Sequence, residues 1–410
     1  MTRTVFTGGQ VVDGTGSAPF EADVLVQHGE ILEIGTGLDG DAEVPCAGRT
    51  LLPGLFDCHV HVVLRSVDTA ERLQTPFSYP YYHATRHLSA MRRQGITHAR
   101  DAAGADLGVK QALEEGLIAG PRLQIAITMI SQTGGHADGW HASGNELYGR
   151  IAHPGRPHGV ADGPDEVRRK VREVVRAGAD VIKIASSGGV MSPRDNPRHA
   201  HYGADELEIA VAEAAAAGLG VMAHAQGANG IKNALRAGVR SIEHGIHLDD
   251  EAIDLLLERD AFLVPTLSAP LSVIEAAANG ARLTEASLAK AHAVLEAHAN
   301  SFRRAVEAGV KIAMGTDAVG SAPGRNLEEL KLMHRFGQTP AQVLRSTTLV
   351  GAQLLGVDEH YGTLRPGKRA DLVVVSGDPL DFHDLQARVE SVWMDGILVE
   401  DRTAAASVTA

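Results

Sequence analysis

One short pattern recurs along the middle of the chain and limits the fold more than any other feature. A helix-like stretch ends in Ala-Gly or Gln-Gly, and a short apolar run follows. It reads RRQGITHARDA from Arg92, VRAGADVIKIASS from Val175, AAAGLGVMAHAQ from Ala215, LRAGVRSIEHG from Leu235 and VEAGVKIAMGTDA from Val306. Glycine after a helix suits the left-handed position, where a side chain would be strained. The stretches GPDEVRRKVREVVRAG and ADELEIAVAEAAAAG open on Asp, Pro and Glu and space their apolar residues as helices do. Helix and strand units alternating over about 300 residues predict a parallel sheet covered by helices. The strands are expected at 55–62, 95–101, 122–128, 181–185, 220–224, 241–244, 262–266 and 311–317. Eight strands match an α/β fold closed as a (β/α)8 TIM barrel. The alternative is an open doubly wound sheet, but no G-x-G-x-x-G follows the first strand.

The two ends of the chain have a different character. TVFTGGQVVDG, ADVLVQHGEILEIG and EVPCAGRTLLPG at the start, and ADLVVVSGDPL and VESVWMDGILVED near the end, read as short strands between turns. They predict one small β-sandwich built from both termini. The expected division is 1–54 with 359–410 for the sandwich and 55–358 for the barrel, and the tail TAAASVTA is expected to fray. A length of 410 residues accommodates both units. The net charge of −13 argues against nucleic acid and anionic membranes as partners. Cys46 and Cys58 are the two cysteines, so no disulfide framework is implied and a cytoplasmic location fits. No secretory signal or membrane span is read in the sequence. The expected partner is a small-molecule substrate, and the expected assembly a homo-oligomer.

Chemistry-bearing residues fall at the ends of the expected strands, where barrel enzymes carry their sites. LLPGLFDCHVHVV alternates Asp57, His59 and His61 within an apolar run. A strand puts residues i and i+2 on one face, so the two imidazoles lie about 7 Å apart along the backbone, pointing the same way. They can close on one metal ion, although an isolated pair is more simply two strand-end histidines. VIKIA places Lys183 inside an apolar strand, where a buried lysine without a partner is costly. His224 ends VMAHA, His244 ends SIEH and Asp317 lies in MGTDA. Alone, Lys183 reads as a buried ion pair, each histidine as a core residue and Asp317 as a cap. Together they share one depth beyond the preceding glycine and point to one barrel mouth. Cys58, between ligand-face residues, should point away and pack.

The set FDCHVH, VIKIASSGG, MAHAQ, SIEHG and MGTDA resembles the amidohydrolase superfamily, and within it the metal-dependent dipeptidase (prolidase-like) and imidazolonepropionase-related branch. The entry LPGLFDCHVH and the exit YGTLRPGKRADLVVVSGDP also match. The resemblance implies two divalent metal ions, with His59, His61 and Asp317 on the more buried one and His224 and His244 on the other. It implies that Lys183 is N-carboxylated and bridges them. The N/O donors suit zinc, with Mn, Fe or Co as alternatives. Such a centre activates water near neutral pH, and Asp317 would carry the proton to the leaving nitrogen.

Two long loops, SQTGGHADGWHASGNELYGRIAHPGRPHGVADG and SSGGVMSPRDNPRHAHYG, follow the third and fourth expected strands. By the resemblance His136 would polarise the substrate carbonyl and Tyr202 would contact a substrate carboxylate. Arg194 and Arg198 would add charge there, and Trp140 and His141 would line a side-chain pocket or pack within the loop. His83, His87, His98, His153 and His158 read as surface, supporting or packing residues. The expected activity is cleavage of an amide bond beside a carboxylate-bearing residue, in a dipeptide or N-acyl amino acid. The alternatives are hydrolysis of a xenobiotic amide, urea or carbamate (ochratoxin-type amides included), hydrolysis of a cyclic amide, or a non-catalytic scaffold.

Overall fold

The computed structural model describes residues 2–140, 143–144, 153–192, 195–319 and 324–402. The strands before the parallel unit are β1 (Thr4–Val11), β2 (Phe20–Gln27), β3 (Glu30–Gly35), β4 (Ala42–Pro45) and β5 (Arg49–Pro53). The parallel unit comprises β6 (Leu55–His61), β7 (Ile96–Asp101), β8 (Arg122–Ile125), β9 (Met129–Ile130), β10 (Val181–Ala185), β11 (Gly220–Ala225), β12 (Ser241–His244), β13 (Phe262–Val264), β14 (Lys311–Ile312) and β15 (Ala318–Val319). The chain closes with β16 (Leu372–Ser376), β17 (Val389–Met394) and β18 (Ile397–Asp401).

Both ends do meet, but their hydrogen bonds link them as one eight-stranded sheet. The order is β18-β17-β16-β5-β1-β2-β3, with β4 beside β1. The antiparallel β5–β16 ladder, from Leu372 opposite Pro53 to Ser376 opposite Arg49, joins the two ends. Phe6, Val24, Ile31, Leu51, Leu372 and Val374 share its apolar core, and the Phe6 ring meets Trp393 edge-on at 5.0 Å.

The parallel strands are assigned to two sheets, β15-β6-β7-β8 and β9-β10-β11-β12-β13-β14. The expected third and eighth strands are each split. Residues 122–130 supply both β8 and β9, and residues 311–319 supply both β14 and β15. The physical reason is local: Ile127 (φ 63°) and Asp317 (φ 55°) adopt the left-handed region and interrupt the ladders. Hydrogen bonds cross the breaks, from Asp180 N–H to the Ile125 carbonyl at 2.9 Å and from Cys58 N–H to the Met314 carbonyl at 2.8 Å.

The helices pack outside these strands for the reason their spacing suggests. Helix Gly163–Arg176 has Pro at its start and acidic Asp165 and Glu166 in its first turn. It buries Val167, Val171 and Val174 on one face. Those residues join the core that contains Ile182 and Ile184 of β10. Strand alternation then turns Lys183 to the other face. Among the described residues no helix is long and apolar enough to cross a membrane.

The helix-ending glycines Gly95, Gly178, Gly218, Gly238 and Gly309 all have positive φ, between 74° and 95°. They differ in surroundings. A Cβ on Gly309 would meet nothing within 4 Å, whereas one on Gly95 would lie 2.8 Å from Val373 Cγ1. Gly309→Ala is therefore expected to cost only backbone strain, about 1–2 kcal/mol. Gly95→Ala should cost roughly 1–3 kcal/mol more through overpacking. Urea unfolding should rank the variants in that order, and equal losses would contradict the close approach at Gly95.

Candidate metal centre

Strand β6 puts Asp57, His59 and His61 on one face, and β12 and the 311–319 segment bring His244 and Asp317 to the same place. Ligand-type atoms of His59, His244 and Asp317 all lie within 4.8 Å of one another. Asp317 Oδ1 is 3.5 Å from His59 Nε2 and 3.2 Å from His61 Nε2. The His224 and His244 rings meet at 4.6 Å, and His59 and His244 at 5.2 Å. Lys183 is fully buried, and its Nζ has no hydrogen-bond partner. Burial pulls its amine down to about 8. Its charge in turn disfavours protonation of His59, His224 and His244. Lys183, the four histidines and Asp317 all line one cavity of about 890 Å³.

The hydrogen bonds decide which ring nitrogens are free to ligate. His61 Nδ1 lies 2.8 Å from the Ala103 carbonyl. A carbonyl only accepts, so Nδ1 carries one proton. Burial opposes a second, but the Asp317 carboxylate 3.2 Å from Nε2 favours it and raises His61, so Nε2 must give up that proton before it can ligate. His224 is reversed: its Nε2 donates to the Gly188 carbonyl at 3.2 Å, which leaves Nδ1 as the lone-pair nitrogen. Burial holds His224 and His244 far below the usual imidazole range and His59 at about 4, so neutral, ligand-competent rings prevail at pH 7. For Asp317, burial alone would raise the carboxyl, but the His61 hydrogen bond and the nearby positive groups outweigh it and hold the group at about 2.

A supporting layer fixes these side chains. Glu243 Oε2 takes the His59 Nδ1 proton at 2.6 Å, while its Oε1 accepts from Arg100 at 2.9 Å and from Ser241 at 2.5 Å. Burial works against the Glu243 charge, but Arg100 and His59 prevail and hold it at about 2. Asp57 accepts from Thr316 Oγ1 and Asn326 Nδ2, both at 2.8 Å, and so ties the Asp317 segment to β6. Thr266 Oγ1 lies 2.7 Å from His244 Nδ1. His244, Thr266 and Asp317 all have positive φ, a strained backbone of the kind that gathers at functional sites.

The amidohydrolase family model matches residues 50–399. The chain is also similar to ochratoxinase from Aspergillus niger, 33% identical over 96% of this chain and 86% of that protein. Among solved structures it resembles a Xaa-Pro dipeptidase with bound methionine, at 33% identity and TM-score 0.88 over 97% of this chain and all of that one. A prolidase complexed with N-methylphosphonate-L-proline matches at 35% identity and TM-score 0.90, over 98% of this chain and all of that one. The chain belongs to the amidohydrolase family. As a member it is a hydrolase acting on C–N bonds, with a TIM barrel and a smaller domain.

In this amidohydrolase His136 comes to the centre. Its ring stacks on His224 at 3.9 Å between centroids, with 10° between planes. Ser192 Oγ lies 2.8 Å from His136 Nδ1 and also hydrogen-bonds Asp195. Lys290 Nζ donates to the Gly189 carbonyl at 2.7 Å and so pins the same loop. A Cβ on Gly189 would fall 2.3 Å from the His136 ring, so the stack requires glycine there.

Two residues expected to contact substrate, Tyr202 and Arg198, do not line the cavity. Tyr202 is buried, and its hydroxyl donates to the Ala161 carbonyl at 3.0 Å rather than facing the cavity. Its backbone is left-handed (φ 64°), which turns the side chain into the barrel–helix core. Arg198 is exposed and does not line the cavity. Trp140 is half exposed and likewise stands outside the lining. Arg194 and His141 lie outside the described residues. His153 and His158, read as supporting residues, do line the cavity. His87 is buried within helix Tyr79–Arg93, and His83 lies on the same helix. His98 stacks on Phe56 at 4.5 Å. Cys58 packs with Phe56, Val264 and Ala313, away from the ligands.

Arg100 and Glu243 were not singled out from the sequence, and Asp57 was noted only for its alternation with His59 and His61. Their signal was an ionisable residue inside an apolar strand, in HARDA, SIEHG and LFDCH. Glu243→Gln should leave the Arg100 charge buried without its partner, at a cost of about 3–5 kcal/mol. It should also weaken metal retention by roughly 10–100-fold through His59. Denaturant unfolding and elemental analysis after dialysis check both, and retention equal to wild type would separate Glu243 from the ligand set.

Proposed function

We propose that this amidohydrolase is a binuclear metal-dependent enzyme that cleaves an amide bond beside a carboxylate-bearing residue, in a dipeptide or N-acyl amino acid. One observation carries the reading: a fully buried lysine amine without a hydrogen-bond partner, surrounded by histidine nitrogens and one carboxylate. A lone ammonium is the wrong occupant for that place. The amine can add CO₂, releasing a proton and becoming a carbamate anion. His59, His61 and Asp317 would then hold one ion through their free nitrogens and carboxylate. His224, through Nδ1, and His244 would hold the second, with Lys183 between them. The N/O donor set fits zinc. When bound, the ions supply Lewis acidity and an acidified water.

The chain's own groups do the rest. Asp317, kept ionised by His61, accepts a proton from water and returns it to the leaving nitrogen. His136 would donate to the substrate carbonyl oxygen, a role that its hold by Ser192 and its stack on His224 support. The likeness to prolidase and Xaa-Pro dipeptidase structures supports a peptide-type amide. The likeness to ochratoxinase supports a second reading, a xenobiotic amide. A panel of dipeptides, N-acyl amino acids and uncharged ureas or carbamates separates the two.

Metal analysis of protein purified without chelator should approach two divalent ions per chain. Asp317→Asn with retained metal should lower kcat by about two orders of magnitude or more, the scale of lost acid–base catalysis. One ion per chain would refute the binuclear centre, and an unchanged kcat would assign the proton to another group.

A further inference from the structure

The wall of the cavity near the end of β6 is formed by residues 63–77, which include helix Thr69–Gln74. Several cations line the cavity, and three of them are paired with carboxylates. Arg65 pairs with Glu71, Arg325 with Glu275 at 2.7 Å and Lys331 with Glu328 at 2.9 Å. Asp68, on the same wall, is taken by Arg282 at 3.1 Å. Arg335 is exposed and solvated.

Arg72 differs from all of these. It lines the cavity and is partly buried, and no carboxylate of a described residue lies within ion-pair distance of it. Burial, and then the buried Arg156 guanidinium nearby, lower its affinity for a proton to about 10. A guanidinium without a carboxylate partner among the described residues raises the positive potential of the cavity beside it. A guanidinium is a planar fork that matches a carboxylate with two parallel hydrogen bonds. The lining also offers Phe77, Met129, Met191, Ile246, Leu271 and Val273, an apolar surface for a side chain.

We propose that Arg72 is the specificity-determining residue that seats the free carboxylate of the amino acid released by cleavage. This rests on the reading of the chain as a hydrolase of an amide beside a carboxylate, and it assigns the role expected of Tyr202 to a different wall of the cavity. The enzyme then favours free acids over the corresponding C-terminal amides because the amide cannot discharge Arg72. The released amino acid competes for the same seat and inhibits.

The test compares wild type, Arg72→Met and Arg72→Lys on matched pairs of dipeptides and N-acyl amino acids ending in a free acid or an amide. Thermal unfolding and metal content are measured for each protein. Arg72→Met should lose roughly ten- to a hundred-fold in kcat/KM on the acid, mainly through KM. It should lose under about three-fold on the amide, since that contact is absent there. Arg72→Lys keeps the charge but not the fork and should fall between the two. A readout on wild type alone guards against a variant that fails to fold: a free amino acid should inhibit competitively, and its carboxamide should not. Acid preference in wild type with equal losses for acid and amide in Arg72→Met would overturn the assignment of Arg72 and leave the substrate class standing. Wild type that cleaves amides or ureas as well as acids, with no inhibition by the free amino acid, would overturn both.

Discussion

A lysine side chain with nowhere to put its charge dominates this structure. Lys183 is fully enclosed at the inner face of β10, and its Nζ has no hydrogen-bond partner. Three histidines nearby are made less basic by it, and Asp317 and Glu243 are the anions that oppose it. Glu243 is already committed to Arg100 and His59. A protonated amine there is therefore poorly compensated, and desolvating a charge without full pairing is costly. In the proposed centre a carbamate would reverse the sign of the problem. The histidine nitrogens and the Asp317 carboxylate would then be linked to it through shared cations.

Around that point the fold spends regular geometry to hold irregular backbone. His244 and Asp317 are left-handed residues at the ends of short strands. Each is held from outside, His244 by Thr266 and Asp317 through the Asp57–Thr316–Asn326 set. The breaks at Ile127 and Asp317 interrupt the ladders on the face where the cavity opens. Strain of this kind persists only where the surroundings over-determine it, and the buried hydrogen bonds of Asp57, Asp101 and Glu243 do so here.

Much of this was legible in the sequence because it rests on local rules. A glycine in the left-handed region ends a helix, the next strand has period two, and its last inward residue meets the cavity. That logic brought out Lys183, His224, His244 and Asp317, and it predicted the positive φ of five glycines. It failed where pairing is non-local. Glu243 and Arg100 are separated by 143 positions, and only the folded strands reveal that one answers the other. It failed again in the loops. Tyr202 was assigned to substrate by a motif, but a left-handed backbone turns the phenol to the Ala161 carbonyl. Nothing in RSVDTAERLQ distinguishes Arg72 from Arg65: both line the cavity, and only the folded chain shows that Glu71 pairs with Arg65.

The account depends on the chemical state of one nitrogen. Carbon-13 NMR of the metal-loaded enzyme, equilibrated with ¹³C-labelled bicarbonate, reads that state directly. A single protein-bound carbamate carbon should appear, be absent from Lys183→Met, and fade when chelation removes the ions and their hold on the carbamate. A metal-loaded, active wild-type enzyme with no such carbon would contradict the account, because it would leave Lys183 as a buried amine beside two cations.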